Sequence, residues 1–387
     1  MTPPTHLIFR KAYLRGMHFP RWIESDRISN LFDGVMTPPY TPHYKKRGPA
    51  DMTIKDLAAK TGYAVGTVSR ALNNHPNVSE KARTAILQAA REMDFEINVN
   101  AKQLKQTHSN SVLVVVKGIG NELFGEMVES IQHLIAQTSY QLVVDYMDED
   151  ANEVARAVQL CREKKPLGIL FLGGVNEHFR RDFAAIDIPC VVVTNDASTL
   201  PFENLSSVTT DDREAGRCAI ETLIALGHRK IAVIGGDRQV SDTSRLRYEG
   251  CVKAFGDHGI PFDPDRDYQG VRYSYQDGYR ATKALLAAGR EFTALFASAD
   301  VMAIGAIRAL RDSGRRVPED VSVMGMDGLP IGDYLVPQLT TVGQSVSAMA
   351  QRSVEILLRA IEDSEKAQHE TIPFRIYRRE SVRELSE

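Results

Sequence analysis

The spacing of apolar residues changes character near residue 110. From Ser111 onward, short β-branched runs alternate with helical patterns. One series is SVLVVVKG, YQLVVDYM, PLGILFLGG and PCVVVTND, and a second is KIAVIGGD, TALFASAD, VSVMGMD and LTTVGQS. Hydrophobic strands that alternate with helices predict parallel sheets covered on both faces. Two such series predict two doubly wound lobes, and ligands of these folds bind beyond the carboxyl ends of the strands, so a cleft between the lobes is the expected small-molecule site.

Residues 53–95 have a compact helical pattern instead. Thr53 and Asp56 fit a capping box at the start of a first helix, and Thr61-Gly62-Tyr63 ends it. A second helix places Val65, Val68 and Leu72 at positions i, i+3 and i+7. Ser79 caps a third helix, whose predicted apolar stripe is Ala82, Ala85, Ile86, Ala89 and Met93. This pattern predicts a minimal three-helix bundle, with a brief fourth helix at 98–106.

The first 51 residues show no sustained periodicity. MTPPYTPHYKKRGPA at 36–50 is rich in Pro, Tyr and basic residues, which is typical of a disordered arm. Two explanations stand. The segment is a basic arm that adds phosphate attraction, or it is an upstream extension and translation starts at Met52. We favour the second, because Met52 directly precedes a clean helix start.

Composition narrows the class of protein. The chain is 43% hydrophobic and 25% charged, as in ordinary globular proteins. Its longest apolar runs, such as 111–116, fall far short of the ~18–20 residues that span a bilayer, and the N-terminus has no secretory pattern. The four cysteines form no CxxC pair and have no His at metal-ligand spacing, so we expect four buried thiols in a reducing cytosol. A cytoplasmic protein with no membrane partner is therefore expected.

Charge is unevenly distributed along the chain. Residues 52–110 carry eight basic and five acidic side chains, and residues 1–51 carry eight basic and four acidic ones. With an overall net charge of −3, the remaining 277 residues carry −10. A basic front end on an acidic body is typical of a nucleic-acid-binding head, because only the surface that meets phosphate needs positive charge.

The segment TIKDLAAKTGYAVGTVSRALNNHPNVSEKARTAILQAAREMDF resembles the helix-turn-helix head of the lac repressor (LacI/GalR) family. The similarity continues through NVNAKQLK, LIALGHRKIAVIGG, SADVMAIGAIRALRDSGRRVPEDVSVMGMDG and PQLTTVGQ, and it covers roughly residues 52–383. The resemblance implies an α/β protein with an N-terminal three-helix helix-turn-helix head and two doubly wound parallel-sheet lobes of periplasmic-binding-protein type. The expected boundaries are 52–97 for the DNA-binding domain, 98–110 for a hinge helix and linker, and 111–387 for the effector-binding and dimerisation domain, with a first lobe of about 111–209 and 343–369 and a second of about 210–342 and 370–387.

The second helix of the head is the expected DNA-reading element. A helix-turn-helix holds its second helix across the major groove. Arg70 is the candidate for a bidentate bond to guanine, and Val65 and Gly66 occupy the family's specificity-determining positions. Tyr63-Ala64 departs from the family's Val-Ser, so one capping hydroxyl is lost. The candidate DNA contacts in the head are Thr53, Tyr63, Ala64, Val65, Gly66, Thr67, Ser69, Arg70, Asn73 and Asn77, of which Thr67, Ser69 and Asn73 suit phosphates.

The segment 98–106 has about nine residues, fewer than the ~12–15 at which isolated helices become marginally stable. It is therefore expected to fold only when two copies pack together on DNA. By the resemblance, Leu104 is the leucine that wedges into the minor groove and kinks the duplex, with Ala101 and Lys102 one turn before it. Ile97 stands where the family usually has proline, so the start of this hinge is less fixed.

The resemblance also implies the effector contacts. Arg247 matches an arginine that clamps hydroxyls or carboxylates, Asp327 matches an acceptor at a strand end, and Tyr273 matches a stacking aromatic. Leu123 and Phe124 match apolar residues at the mouth of the first lobe. Each has a structural alternative, because buried Arg–Asp pairs and aromatic residues near strand ends commonly belong to the core. Ala299 replaces a polar residue that binds sugars in many relatives, so the ligand is not restricted to simple hexoses.

The leading hypothesis is a ligand-controlled transcription factor, a repressor that binds a pseudo-palindromic operator in double-stranded DNA as a homodimer. Its effector would be a sugar or sugar derivative, with no cofactor, catalytic constellation or metal site. A periplasmic-type sugar carrier would share the lobes but have no use for residues 52–106. A dehydrogenase is the third hypothesis, but VLVVVKGIGNELFG has Leu123 at the third glycine position, and the next strand-end acid, Asp145, lies 27 residues after Gly118 rather than about 20. His228 is expected to serve helix–strand packing.

Overall fold

The computed structural model of the protein describes residues 54–72, 77–93, 95 and 109–385. The chain divides into two compact units, Met1–Val99 and Asn100–Glu387. Several predictions lie outside the described residues. These concern the N-terminal arm, the start at Met52, the cap at Thr53, the contact at Asn73, and the hinge segment 98–106 with Ala101, Lys102 and Leu104.

Three helices form the described part of the first unit: α1 (Ile54–Thr61), α2 (Val65–Leu72) and α3 (Glu80–Glu92). Gly62 makes the tight turn between α1 and α2 at φ 72°, a left-handed conformation that glycine adopts without steric cost. The Ser79 hydroxyl accepts a hydrogen bond from the Ala82 amide at 3.4 Å. The predicted cap of the third helix is therefore confirmed.

The three helices bury one small apolar cluster. Leu57, Val68 and Ile86, one from each helix, have no exposed surface. The predicted stripe of α3 was wrong at one position, because Ala85 is exposed and Ala90 is buried instead. The stripe is centred on Ile86, and successive residues turn by about 100° around a helix, which carries Ala85 off the buried face.

The second unit begins with a first lobe built on a six-stranded parallel sheet. Its strands are β1 (Ser111–Lys117), β2 (Gln141–Met147), β3 (Gly168–Leu172), β4 (Cys190–Val193), β5 (Leu205–Thr209) and β11 (His369–Thr371), in the order β11-β5-β4-β3-β1-β2. Its helices are α4 (Glu122–Ile135), α5 (Glu153–Lys164), α6 (Asn176–Asp182) with a 3₁₀ turn at Phe183–Ala185, and α12 (Val346–Glu362).

The second lobe has a six-stranded mixed sheet. Its strands are β6 (Ile231–Gly235), β7 (Tyr268–Gly270), β8 (Ala294–Ala297), β9 (Ser322–Asp327), β10 (Thr340–Gly343) and β12 (Arg375–Tyr377), in the order β12-β10-β9-β8-β6-β7. Its helices are α7 (Asp212–Ala225), α8 (Asp242–Asp257), α9 (Pro264–Asp267), α10 (Tyr275–Ala287) and α11 (Asp300–Asp312), with a 3₁₀ helix at Pro330–Tyr334.

Both faces of the first sheet are covered. In β1, Val114 and Val116 pack in one apolar cluster that includes Met127 of α4. Leu113 and Val115 pack in another on the opposite side. Because successive strand residues point to opposite faces, a continuous apolar run is what a strand buried on both sides requires. The predicted fold class, two doubly wound lobes behind a helix-turn-helix head, is confirmed.

The sequence pattern missed four strands. β7, β11 and β12 have three residues each, too few to show a periodicity. β5 is fully buried, but its Ser and Thr residues gave it a polar appearance. The prediction of parallel sheets is corrected at one edge, because β12 pairs antiparallel with β10. The first sheet also includes Glu370 and Thr371, next to the approximate boundary of the first lobe expected at 369.

Two smaller expectations concern the cysteines and the membrane. All four cysteines are free thiols. The expectation that all four are buried was wrong for Cys161 and Cys218, which lie on helices at the edge of the core and are partly exposed. In the part of the chain that the structure describes, no helix is both long and apolar enough to cross a membrane.

Candidate functional site

Helix α2 presents a short exposed face that carries both apolar and polar residues. Val65, Gly66 and Arg70 are exposed, and Thr67 and Ser69 are partly exposed. The Arg70 Nε donates to the Gly66 carbonyl at 3.1 Å, one turn back along the same helix. The guanidinium therefore lies on the surface of α2. A change of the Arg70 rotamer would break this hydrogen bond and free the guanidinium to contact a molecule bound at this face.

The candidate DNA-binding residues outside α2, Tyr63, Ala64 and Asn77, differ in their contacts and exposure. The Ala64 carbonyl accepts hydrogen bonds from the amides of Thr67 and Val68, at 2.8 and 3.0 Å, so the backbone alone begins the helix where the family has a capping serine. Tyr63 packs against the core of the head, which gives it a structural role besides the predicted DNA contact. Asn77 is exposed shortly before the start of α3.

In the second unit, a cleft of about 610 Å³ lies between the two lobes. It is lined by residues at or just after the carboxyl ends of β1, β2, β3, β4, β6, β7 and β9. Leu123, Phe124, Arg247, Tyr273 and Asp327 all line this cleft. The structure thus brings the five predicted effector residues together, from segments up to 204 positions apart in the sequence; effector binding by them stays a prediction.

The floor of the cleft is a buried ion-pair network. The Arg247 Nε donates to Asp212 at 2.8 Å, and one of its terminal nitrogens donates to the Ser298 carbonyl at 2.7 Å. The same terminal nitrogen lies 4.0 Å from the Asp327 carboxylate, which also accepts from Gln344 at 2.8 Å. Arg247 as a whole is 5% exposed, and its buried partners fix the plane of the guanidinium.

Two neighbouring carboxyl groups, Asp327 at the floor of the cleft and Asp300 behind it, have raised pKa values. Burial raises the pKa of Asp327 to about 6, against the opposing effect of Arg247. Burial and the nearby Asp327 charge raise the pKa of Asp300 to about 8. Asp300 is the first residue of α11, and the residue before it, Ala299, is buried and supplies no side-chain cap. The carboxyl group of Asp300 accepts hydrogen bonds from the amides of Gly328 and Leu329, both at 2.8 Å.

The backbone is strained at two strand ends that line the cleft. Asp327 has φ 122° and Thr194, just after β4, has φ 78°. Positive φ in non-glycine residues costs about 1–3 kcal/mol and persists where the surroundings impose it, often at ligand sites. Such strain at both lobes is consistent with a site whose geometry is fixed in advance.

The wall formed by the first lobe carries a buried charge network. Glu153 has no exposed surface and accepts from Lys117 Nζ at 2.8 Å and from the Val175 amide at 2.7 Å. The carboxylate oxygen that accepts from Lys117 also lies 2.9 Å from His178 Nδ1. Phe124 lies across this wall beside Gly173, where a Cβ would come within 3.1 Å of its ring.

The aromatic residue of the second lobe is held by a hydrogen bond. The hydroxyls of Tyr273 and Ser244 are 2.6 Å apart. Gly236, at the end of β6, gives them room, because a Cβ there would lie 2.2 Å from the Ser244 oxygen and 2.8 Å from the tyrosine ring. The ring is therefore fixed in position at the wall of the cleft.

Four sets of contacts join the lobes across the cleft. Arg272 pairs with Asp148 at 3.2 Å, with Glu149 at 2.9 Å and with Asp150, and we name these four residues the rim cluster. The Tyr275 hydroxyl donates to Glu122. The Asn176 amide donates to Asp242 at 3.2 Å, and Thr243 donates to the Thr194 carbonyl at 3.5 Å.

Sequence reasoning missed the rim cluster, Lys117 and Glu153. A usable signal existed for most of these residues, because DED at 148–150, Lys117 and VRY at 271–273 all stand at or just after strand ends. No sequence signal indicated which of them meet across the cleft. His228 lies elsewhere: it is buried, with Nδ1 2.9 Å from the Thr293 hydroxyl and Nε2 3.1 Å from the Arg383 carbonyl, which agrees with the packing role.

Comparison with known proteins fits this geometry. A model of the lacI family of bacterial regulatory proteins matches residues 53–98, and a model of the periplasmic binding protein-like domain matches residues 220–382. The HTH-type transcriptional regulator MalR of Clostridium butyricum is 33% identical over 335 residues, which are 85% of this chain and 99% of that protein. The probable HTH-type transcriptional repressor ExuR of Bacillus subtilis is 31% identical, over 87% of this chain and 99% of that protein.

A solved structure of the lac repressor dimer bound to operator and the anti-inducer ONPF is also similar. It has a TM-score of 0.72 and 26% identity, with coverage of 86% of this chain and 99% of that chain. The fold and the cleft thus define a helix-turn-helix transcriptional regulator with a periplasmic-binding-protein-like domain. The chain belongs to the LacI family of bacterial regulatory proteins.

Proposed function

We propose that the protein is a ligand-responsive repressor of transcription that acts in the cytoplasm and catalyses no reaction. It binds a pseudo-palindromic operator as a homodimer, and a sugar or related small metabolite in the cleft changes its affinity for DNA. The observation that carries the proposal is the occurrence in one chain of an exposed recognition helix and of a cleft lined by all five predicted effector residues.

The DNA-binding part of the proposal rests on α2. Arg70 is exposed in the last turn of α2, and a guanidinium that leaves the Gly66 carbonyl would reach the O6 and N7 atoms of guanine. Val65 offers an exposed apolar contact for a thymine methyl group. Thr67, Ser69 and Asn73 would position the helix on phosphates, and Ala101, Lys102 and Leu104 would act in the minor groove.

The effector part rests on the cleft. Arg247 and Asp327 offer a donor and an acceptor at the floor, Tyr273 offers an aromatic face, and Leu123 and Phe124 offer apolar contact. Polar groups fixed by the protein around an apolar-lined space are what hydroxyl-rich metabolites require.

Signalling would depend on the contacts that join the lobes. A ligand that binds one arrangement of the lobes more tightly shifts the population toward it, by no more than its difference in affinity for the two arrangements. The rim cluster and the Asn176–Asp242 bond hold the lobes together across the cleft, and we call the arrangement with these contacts closed. A change in their population would alter how two copies present their hinge segments to DNA.

The test is a gel-shift titration of the full-length protein against a pseudo-palindromic duplex from its own promoter and against random duplex. Wild type should prefer the palindrome, and affinity should fall with salt. Arg70→Ala should weaken specific binding by about 1–3 kcal/mol, or roughly 5- to 150-fold, because one bidentate base contact is lost. Arg91→Ala, an exposed arginine of α3, is the matched control and should change specific binding far less. A wild type with no salt-dependent preference for any palindromic site would refute the proposal.

A further inference from the structure

The charges around the cleft are unbalanced. Three cationic side chains line it, and six carboxylates face them. The cations are Lys117, Arg247 and Arg272, and the carboxylates are Asp148, Glu149, Asp150, Asp237, Asp277 and Asp327. What an effector meets therefore depends on whether any of the three cations lacks a carboxylate partner.

The two inner cations are both neutralised by carboxylates behind the cleft surface. Lys117 lies 2.8 Å from Glu153, which has no exposed surface, and it also donates to the Ala151 carbonyl. Arg247 lies 2.8 Å from buried Asp212 and 4.0 Å from Asp327. A ligand anion that took either cation would leave a buried carboxylate without its partner, which is strongly unfavourable.

The third cation, Arg272, faces more carboxylates than one positive charge can neutralise. Arg272 contacts three carboxylates of the rim cluster at once, so this rim keeps a surplus of negative charge. Farther along the wall, Asp237 accepts from the Gln239 amide and makes no ion pair within the described part of the chain. Asp277 accepts from the Ser274 hydroxyl at 2.8 Å, and its cationic neighbour is the largely exposed Arg280 at 3.4 Å.

We propose, on the basis of the function proposed above, that the effector carries no anionic group. The cleft selects a hydroxyl-rich compound that donates hydrogen bonds to these carboxylates, a neutral or amine-bearing sugar, and it rejects uronates and phosphorylated sugars. Hydroxyl and ammonium groups donate to carboxylates, whereas carboxylate and phosphate groups only accept. An added anion would meet like charge and no unpaired cation, which weakens binding.

Calorimetric titration of the full-length protein at fixed salt tests this. The probes are matched sets: glucose, glucosamine, glucuronate and glucose 6-phosphate; galactose and galacturonate; ribose and ribose 5-phosphate. We expect binding from at least one neutral or amino sugar, with its anionic counterpart at least about tenfold weaker. An anionic member that binds as tightly as its neutral counterpart overturns the inference, and so does a panel in which no compound binds.

A variant with two rim carboxylates neutralised gives a second, independent test of the charge preference. Glu149→Gln with Asp150→Asn removes two partners of Arg272 and keeps the side-chain shapes. The affinity ratio of uronate or phosphate to neutral sugar should rise about tenfold. The control is Asp257→Asn with Glu291→Gln, two exposed carboxylates of surface ion pairs, and it should leave the ratio unchanged. An unchanged ratio in the cleft variant contradicts the inference.

The two proposals fail in different ways. Gel shifts are run both without and with each compound of the panel, and the absence of operator preference under every condition refutes the proposed function. If operator binding is present and an anionic sugar releases it, the proposed function stands and only the inference about charge fails.

Discussion

Arg272 joins the two lobes more directly than any single residue predicted from the sequence. Its guanidinium, on the loop after β7, contacts three carboxylates on the loop after β2. Arg272→Ala removes every one of these contacts and leaves three like charges side by side. We expect the closed arrangement of the lobes to become less populated, because no other cation of the cleft is available to those carboxylates.

The free-energy cost of losing the Arg272 ion pairs depends on how exposed the Arg272 side chain is to solvent. The Arg272 side chain is 48% exposed, so each of its pairs is worth about 0.2–1 kcal/mol rather than the larger values of buried pairs. Because the three pairs share one guanidinium, their energies do not simply add, and together they give about 1–2 kcal/mol, which corresponds to a roughly 5- to 30-fold rise in the equilibrium constant for opening. The Tyr275–Glu122 and Asn176–Asp242 contacts remain, so the lobes should still close.

Hydrogen exchange at the Asn176 amide measures this opening without a ligand. The amide lies at the first position of α6, where it has no partner within its own helix, and it donates across the cleft to Asp242 at 3.2 Å. Its exchange should accelerate 5- to 30-fold in Arg272→Ala, and 1 M salt should produce part of the effect in wild type, because screening then acts over ~3 Å. Arg280→Ala, which removes a pair confined to one lobe, is the control. Unchanged protection of Asn176 in Arg272→Ala would refute the reasoning.

Two further predictions concern stability. The pKa of Asp300 is raised to about 8, so the native state keeps a proton that the unfolded chain releases near pH 4. The free energy of unfolding should therefore fall as the pH rises from about 4 to about 8, by up to about 1.4 kcal/mol per pH unit, and Asp300→Asn should flatten this slope in urea titrations; a wild-type curve without the slope contradicts the assignment. In α8, a Cβ on Gly250 would lie 1.9 Å from a carbonyl oxygen of α7, whereas one on Gly256 meets nothing within 4 Å. Gly250→Ala should cost more than about 3 kcal/mol on thermal unfolding, while Gly256→Ala should gain about 0.5–1 kcal/mol; equal effects would show that helix contact does not decide the cost.

Some strands and helix caps of this protein could be predicted from the sequence because they depend on local chemistry. The short, β-branched run SVLVVV favours a strand buried on both faces, and Ser79 before an amphipathic pattern favours a helix cap, because these outcomes depend on neighbours within a few residues. The resemblance to a known family, rather than the strand pattern, predicted that Arg247, Tyr273 and Asp327 line one cleft, and Arg247 lies within α8 rather than at a strand end. Reasoning from the local pattern failed at Ala85, where one step of helix rotation decides exposure, and at three-residue strands such as β12, which exist only because β10 offers an unpaired edge.

By itself the sequence determined the alternation of strands and helices, the helical head and the set of residues that could meet a ligand. Only the tertiary structure decided which charges neutralise one another. Glu153 lies 36 positions from Lys117 and Asp212 lies 35 from Arg247, and no periodicity links such pairs. Their pairing is set by how the sheets and helices pack, because a charge withdrawn from water must find an opposite charge wherever the fold brings one close.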